Sequence, residues 1–277
     1  MRLNFFSYIG GKFYLVDKLL KLIPSHETYI EPFGGSAKLL LNKPPSKVEI
    51  YNDADIRLAN LFYVVSNEAT FNEFYEKVNR LVYSRALLKE LCECANTSPS
   101  FIGDVDKAVC FYYSMRASFS SGLGYGFAYS FTRNEASRFI NSVKKLPIIH
   151  ERLKNILTFN ESYDIILEKY MNDEKVFVYL DPPYYGAEHY YKFFTEGDHE
   201  RMLKLLKKAK FKWLLSGYDN NLYSKELKDF CKLELSSFKP SYGITKHSKH
   251  KKRPKSQEIL WSNYYKGGDL LWKKRLR

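Results

Sequence analysis

The sequence predicts an α/β fold: an open, mainly parallel sheet whose strands alternate with helices, with a mainly helical segment inserted into it. Three observations carry this reading. Short runs rich in β-branched and aromatic residues, such as Val176 to Leu180 and Val48 to Asp53, have the length and composition of buried strands. Apolar residues at helical spacing follow strand-like segments, as in Ile56, Leu58, Leu61 and Phe62. From about Ser66 to Ile149 the alternation stops and helical periodicity takes over. With 277 residues, 45% of them apolar, the chain has material for one large core or for a main domain with an insertion.

In chain order, Tyr8-Ile9-Gly10-Gly11-Lys12 is a glycine turn opening a helix marked by Leu15, Leu19, Leu20 and Leu22. Backbone amides and the Lys12 ammonium at such a turn attract a carboxylate, although Gly-Gly-Lys alone is also an ordinary loop. The stretch Thr28 to Ala37 reads as a short strand turning through the glycine pair Gly34-Gly35 into a helix beginning near Lys38. Glycines there let a cofactor approach the backbone. The phosphate fingerprint G-x-G-x-x-G is absent, which excludes a nicotinamide dehydrogenase and favours a bulky, non-phosphorylated cofactor. A second strand, Val48 to Asp53, ends in an acid placed to bond a ribose hydroxyl. Either Asp53 or Asp55 also suits the N-cap of the helix that follows.

In the insertion, Phe71, Phe74, Tyr75, Val78 and Leu81 make one apolar helical face, and Ala108, Val109, Phe111, Tyr112 and Met115 another; most of these rings are core. Between Arg116 and Phe131, glycines at 122, 124 and 126 alternate with Phe119, Leu123, Tyr125, Phe127 and Tyr129, too many rings for one short loop to bury.

The strand Val176 to Leu180 then stops at Asp181-Pro182-Pro183-Tyr184. Two prolines cannot donate to a ladder, so the strand ends in a rigid corner, and in an open α/β sheet such corners face the ligand crevice. A carboxylate, a carbonyl and a ring on that corner suit an exocyclic amine. The Asp181 carboxylate and the Pro182 carbonyl can take its two N–H groups as a new bond forms at nitrogen, while Tyr184 stacks on the ring of a base flipped out of a duplex. A proline turn with one solvated carboxylate is the plain alternative.

Charge is consistent with a polyanionic partner. The 44 basic and 31 acidic residues leave +13, and Lys246 to Lys255 forms a basic loop in which Lys251, Lys252 and Arg253 are candidates for phosphate contact. The loop has no apolar face suited to a bilayer, no apolar run is long enough to cross one, and the opening Met1 to Phe6 lacks the h-region of a signal peptide. The expectation is a cytoplasmic protein with no membrane partner. Cys92, Cys94, Cys110 and Cys231 show no disulfide or zinc spacing and are expected to be reduced thiols; no cluster of ligand residues predicts a metal.

These motifs, in this order, resemble the Dam-like, D12-class (alpha group) adenine-specific DNA N6-methyltransferases. Tyr8-Ile9-Gly10-Gly11-Lys12 is similar to that family's aromatic-x-Gly-Gly-Lys opening, Glu31-Pro32-Phe33-Gly34-Gly35-Ser36 to its cofactor loop, Asn52-Asp53 to its ribose step and Asp181-Pro182-Pro183-Tyr184 to its catalytic motif. Phe111 to Arg116, Leu214 to Asp219 and Glu258 to Tyr264 extend the likeness over nearly the whole chain.

The resemblance implies a seven-stranded Rossmann-like, S-adenosylmethionine-dependent methyltransferase sheet. The catalytic domain would comprise residues 1–65 and 151–277, and residues 66–150 a helical target-recognition domain. It implies cofactor binding by Tyr8, Gly10, Lys12, Phe33, Gly34, Gly35, Ser36, Asp53 and Asp181, and catalysis by Asp181, Pro182 and Tyr184. Double-stranded DNA would be met by Arg116, Phe119, Leu123 and Arg133, with Phe119 or Leu123 as a wedge. GATC-specific members carry an Asn-Gly pair and a following arginine in this hairpin; here Ser120-Ser121-Gly122-Leu123-Gly124-Tyr125 departs from that, and the recognition sequence is open. So is the setting, whether a restriction-modification system, solitary genome marking or a phage. N4 methylation of cytosine and a catalytically silent DNA-binding protein of the same fold are the alternatives. Aminomethylating enzymes that act on RNA or on protein glutamine use a related tetrapeptide, often with Asn first.

Overall fold

The computed structural model describes residues 2–8, 12–119, 122–186, 194–235 and 257–265. Seven strands alternate with helices as expected: β1 (Thr28–Glu31), β2 (Val48–Asn52), β3 (Leu157–Phe159), β4 (Val176–Leu180), β5 (Lys212–Tyr218), β6 (Cys231–Glu234) and β7 (Glu258–Ser262). Their order is β3-β2-β1-β4-β5-β7-β6. The first five follow a doubly wound order, and antiparallel β7 then enters between β5 and β6, giving a Rossmann-like, mostly parallel sheet. β3 and β6 lack a clear sequence signature, being three and four residues long.

The chain divides into two compact units, one of Met1–Leu20 with Gly34–Ser162, the other of Lys21–Phe33 with Tyr163–Arg277. In the first, a 3-10 turn (Phe13–Leu15) runs into α1 (Val16–Leu20), and α2 (Lys38–Asn42) follows the glycine loop. After β2 come α3 (Ile56–Ser66), α4 (Glu68–Asn79), α5 (Arg85–Ala95), α6 (Val105–Ala117), α7 (Glu135–Val143) and α8 (Leu146–Leu153). Short polar side chains start five of these helices by accepting a backbone N–H: Asp55 from Arg57 (3.0 Å), Asn67 from Ala69 (2.9 Å), Ser84 from Leu87 (3.5 Å), Asp104 from Lys107 (3.0 Å) and Asn134 from Ser137 (2.9 Å). Asp55, not Asp53, is thus the cap of α3. Ten of the thirteen residues of α6 are buried, so this helix is the centre of the unit's core. Phe71 and Phe74 of the expected apolar face are buried against it or beside it, Phe71 lying flat on the His150 ring at 4.1 Å.

One expectation is overturned here. Cys94 and Cys110 form a disulfide, with Cα atoms 5.9 Å apart. The two cysteines lie on α5 and α6, which pack together; that helix-on-helix contact, invisible in a 16-residue spacing, makes the pair.

In the second unit β1, β4 and β5 are parallel, with Thr28 opposite Val176 and Phe177 opposite Lys212. All five residues of β4 are buried, as a strand covered on both faces requires. On β6 burial alternates, Lys232 and Glu234 facing solvent, and these charges blunt an edge strand. α9 (Tyr163–Tyr170), α10 (Glu196–Lys208) and α11 (Asn221–Glu226) complete the unit. α10 begins with a reciprocal capping box between Thr195 and Asp198. Trp213, Trp261 and Tyr223 are each at most 2% exposed. Burying a large apolar side chain contributes roughly 1.5–3 kcal/mol, and this cluster holds the sheet that carries the Asp181 corner.

Candidate active site

In the first unit the glycine loop is built against the end of β2. Gly34 donates its N–H to the Asn52 carbonyl (2.8 Å) and Gly35 donates to Asp53 Oδ2 (2.8 Å), while Asp53 Oδ1 accepts from the Asp55 N–H (2.9 Å). The Tyr51 hydroxyl closes the turn by donating to the Gly35 carbonyl (2.9 Å). Gly34 is required by contact, because a Cβ there would stand 2.2 Å from the Tyr51 ring, itself stacked on Phe62 at 3.8 Å. Gly35 has φ +49°, and a Cβ on it would reach to 3.4 Å from the Tyr8 ring. Tyr8, Gly34, Gly35 and Asp53 are therefore neighbours. Ser36 and Lys12 are both 4% exposed, so Lys12 is a buried ammonium rather than a free one. Gly10 lies outside the described residues.

Asp53 is half-buried, and its enclosure pushes the carboxyl up to about 6 in spite of the backbone donors at Asp55 and Gly35 that pull it down. It is ionised at neutral pH. A carboxylate offers about four lone-pair sites, and with two backbone donors placed on it Asp53 retains capacity for a hydroxyl. Next to the loop, the Lys38 ammonium on α2 holds the Asn4 side chain and the Phe6 carbonyl, fastening the N-terminal segment that leads to Tyr8. Burial, with Arg116 nearby, brings Lys38 down to about 7.

In the second unit, parallel β1 and β4 deliver Phe33 and Asp181 to the same edge of the sheet, where the strand order reverses. Phe33 stacks on Tyr163 (5.3 Å between centroids) and meets Phe194 edge-on (5.4 Å). Asp181 Oδ1 accepts from the Ser216 hydroxyl at 3.1 Å, and the neighbouring Tyr179 hydroxyl lies 3.3 Å from the same Ser216 oxygen. Pro182 is buried. Tyr184 donates its hydroxyl to Glu258 Oε1 at 2.6 Å and packs edge-on against Tyr218 at 4.3 Å. Burial, with Asp181 and Glu258 close by, keeps the Tyr184 phenol well above its ordinary range, so it remains a donor.

Sequence reasoning placed Asp181 and Tyr184 but assigned no role to Ser216 or Glu258. Only the pairing of β4 with β5 and of β5 with β7 brings these two to the corner. The one local signal was a glutamate heading an otherwise apolar strand.

The segment between Arg116 and Phe131 forms a hairpin on the first unit: Phe119 donates to the Gly126 carbonyl (2.7 Å), Ala128 to the Ala117 carbonyl (2.8 Å), and Ser118 bridges Phe127. Phe119 is 62% exposed and suits a wedge; Leu123 is half-buried. Phe119, Phe127, Tyr129 and Phe131 line an open concavity of about 500 Å³. Arg133 is exposed beside Glu135, whereas the Arg116 Nε is buried with no hydrogen-bond partner. The guanidinium of Arg85 lies 5.6 Å from the Tyr129 ring centroid. Lys251, Lys252 and Arg253 lie outside the described residues. Among the described residues no cluster of His, Cys, Asp and Glu is arranged to hold a metal, and no helix is long and apolar enough to cross a membrane.

Comparison with known proteins accords with this geometry. Residues 8–239 match the family model of the D12 class N6 adenine-specific DNA methyltransferases, a span that holds the glycine loop, the hairpin and the Asp181 corner. The chain belongs to this family. The methyltransferase is 28% identical to the type II methyltransferase M.CviBI of Paramecium bursaria Chlorella virus NC1A, over 76% of this chain and 80% of the viral protein. It is 24% identical to the modification methylase StsI of Streptococcus sanguinis, over 93% of this chain but 42% of that longer protein. With the DNA adenine methylase of Escherichia coli K12 it shares 26% identity over 65% of this chain and 64% of the relative. Adenine N6 in DNA is the acceptor for which the family is named, and S-adenosylmethionine is the methyl donor the family implies.

Proposed function

We propose that the methyltransferase transfers a methyl group to N6 of an adenine turned out of a specific sequence in duplex DNA, with Asp181, Pro182 and Tyr184 at the reacting base. The observation that carries this is the Asp181 corner at the end of the fully buried β4, which holds a carboxylate, a carbonyl and an aromatic ring in fixed relation. The adenine amine is a weak nucleophile because its lone pair is spread into the ring. Asp181 and the Pro182 carbonyl accept its two N–H groups and favour the tetrahedral, positively charged nitrogen that forms as the carbon–nitrogen bond closes; one of those protons then leaves toward Asp181. Ser216, donating to Asp181, holds the carboxylate in place. Tyr184 stacks on the base and replaces part of the stacking lost in extrusion.

S-adenosylmethionine, when bound, would supply the electrophilic methyl, its sulfur–methyl bond breaking as the carbon–nitrogen bond forms and S-adenosylhomocysteine leaving as a neutral thioether. Asp53 fits such a ligand: held by the Gly35 and Asp55 amides beside the glycine loop, which packs on Tyr51 and Tyr8, its carboxylate is suited to the ribose hydroxyls. Tyr8, Lys12, Ser36 and Phe33 are assigned to the rest of the cofactor, Lys12 to its carboxylate. Residues 66–150 are assigned to target recognition, with Phe119 as the wedge and Arg133 and Arg116 toward the duplex. The class of the family favours adenine over the amine of cytosine.

The test is transfer of labelled methyl groups to unmethylated genomic DNA by the wild type and by Asp181→Ala, followed by nucleoside analysis. N6-methyladenine from the wild type alone is expected. N4-methylcytosine would overturn the choice of base, and equal transfer by Asp181→Ala would overturn the assignment of the corner.

A further inference from the structure

Methyl transfer to the amine, as derived above, uses one carboxylate, yet the corner has two. Glu258 opens β7 and is 1% exposed. β7 runs antiparallel to β5 with Glu258 opposite Tyr218, and the Tyr218 ring in turn meets Tyr184 edge-on at 4.3 Å. The Tyr184 hydroxyl donates to Glu258 Oε1 at 2.6 Å, the short length of a charge-assisted bond. Burying a carboxylate is costly unless it is paired or bonded, and a tyrosine needs no acid in order to stack on a base.

We propose that Glu258 is a positioning residue for methyl transfer: its carboxylate fixes the Tyr184 ring and enriches the electron density of the face on which the target base stacks. This rests on the assignment of Tyr184 as the stacking platform. The hydrogen bond anchors the hydroxyl end of the Tyr184 ring against tilting away, and the Tyr218 ring packed against it at 74° hinders its turning about its axis. A phenol that donates to a carboxylate also gains electron density on its π-face, and an electron-rich face attracts positive charge. The base becomes positively charged only as the methyl group arrives at N6. The interaction therefore strengthens in the transition state and acts on the chemical step more than on binding.

The test is single-turnover methylation at saturating DNA and S-adenosylmethionine for Glu258→Gln, Tyr184→Phe and the double variant. Glu258→Gln keeps the shape and an acceptor oxygen but removes the charge; Tyr184→Phe removes one oxygen from a ring that otherwise stays. Each is expected to slow the methyl-transfer step roughly tenfold to a hundredfold, the worth of a hydrogen bond to a charged group. The Kd for S-adenosylmethionine and the KM for DNA should stay within about twofold, and the double variant should be no slower than the slower single one, because both changes remove the same interaction. With 2-aminopurine at the target position, the fluorescence rise that reports extrusion should persist in both single variants. Wild-type rates in Tyr184→Phe, or independent, multiplying losses in the double variant, would overturn the proposal, and the first of these stands even if Glu258→Gln does not fold. Asp181→Ala in the same series separates the two readings: methyl transfer retained there defeats the assignment of the corner, whereas transfer lost there with multiplying losses at 184 and 258 defeats only the role of Glu258.

Discussion

Asp53 links the loop geometry to cofactor affinity, and its ionisation makes that link measurable. Its two oxygens accept the Gly35 and Asp55 amides, and enclosure raises the carboxyl from 3.8 to about 6. If the ionised form bonds the ribose, binding stabilises the anion and lowers that pKa, so affinity must fall as pH drops through about 6. The limit is tenfold per pH unit, because one proton competes with one ligand. Above about pH 7 the carboxylate is already formed and affinity should be flat. Replacing Asp53 with Asn removes the charge-assisted bond, worth about 1.5–3 kcal/mol, which predicts roughly a tenfold to hundredfold weaker Kd at pH 7.5. It also places an amide donor against one of two backbone N–H groups, Gly35 or Asp55, so the loop itself loosens. Calorimetry with S-adenosylmethionine from pH 5 to 8 measures both effects. The wild type should show the acid-side loss and Asp53→Asn should not. A wild-type Kd that is constant across that range, or an Asp53→Asn affinity within about twofold of it, would refute the ribose assignment.

Other outcomes follow from burial and contact. Lys38 has a folded pKa of about 7 against an ordinary 10.5, so between those values the unfolded chain holds more protons; wild-type stability should therefore rise with pH across that window relative to Lys38→Met, by at most ~1.36 kcal/mol per pH unit. Parallel stability curves from denaturant titrations would show that the ammonium is not held at a cost. Gly34→Ala puts a carbon 2.2 Å from a Tyr51 ring that Phe62 pins from the other side, and the overpacked loop should lose about 1–3 kcal/mol in urea unfolding; wild-type stability would mean that the ring can shift. Phe119→Ala, at a position 62% exposed, should leave stability within ~0.5 kcal/mol of wild type and slow methylation of oligonucleotides, and an unchanged rate and affinity would remove the wedge.

Much of this site is local and for that reason legible. β4 ends where the sequence places it, because a run such as Val176 to Leu180 has one reading once two prolines stop it, whereas β2 stops at Asn52, one residue before the expected Asp53. The glycine pair likewise announces a close approach, and the structure shows to what: Tyr51 for Gly34, Tyr8 for Gly35. The ambiguity between Asp53 and Asp55 was real, since both precede the same apolar pattern. It is decided by the two-residue offset between them, which directs Asp55 to the Arg57 amide and Asp53 back to the loop. The short strands β3 and β6 escaped notice because three or four residues show no periodicity. The Cys94–Cys110 pair escaped because spacing rules describe single loops, not the meeting of two helices.

What stayed hidden shares one cause, and it bears on how such sites should be read. Ser216 and Glu258 stand 35 and 77 residues from Asp181 in the chain, and each reaches the corner through strand pairing alone. A motif read along the chain names the groups that touch the base; the groups that hold those in place come from neighbouring strands and carry no motif of their own. Antiparallel β7 matters for this reason. Inserted between β5 and β6, it places the head of a late strand at the carboxyl end of β5, and there a buried acid meets the Tyr184 hydroxyl. In a wholly parallel sheet the carboxyl end of a strand, not its head, would occupy that position. The strand reversal therefore gives the fold a way to supply a carboxylate behind the stacking ring, and a protein of this family without an acid at this position would have to hold the ring by other means.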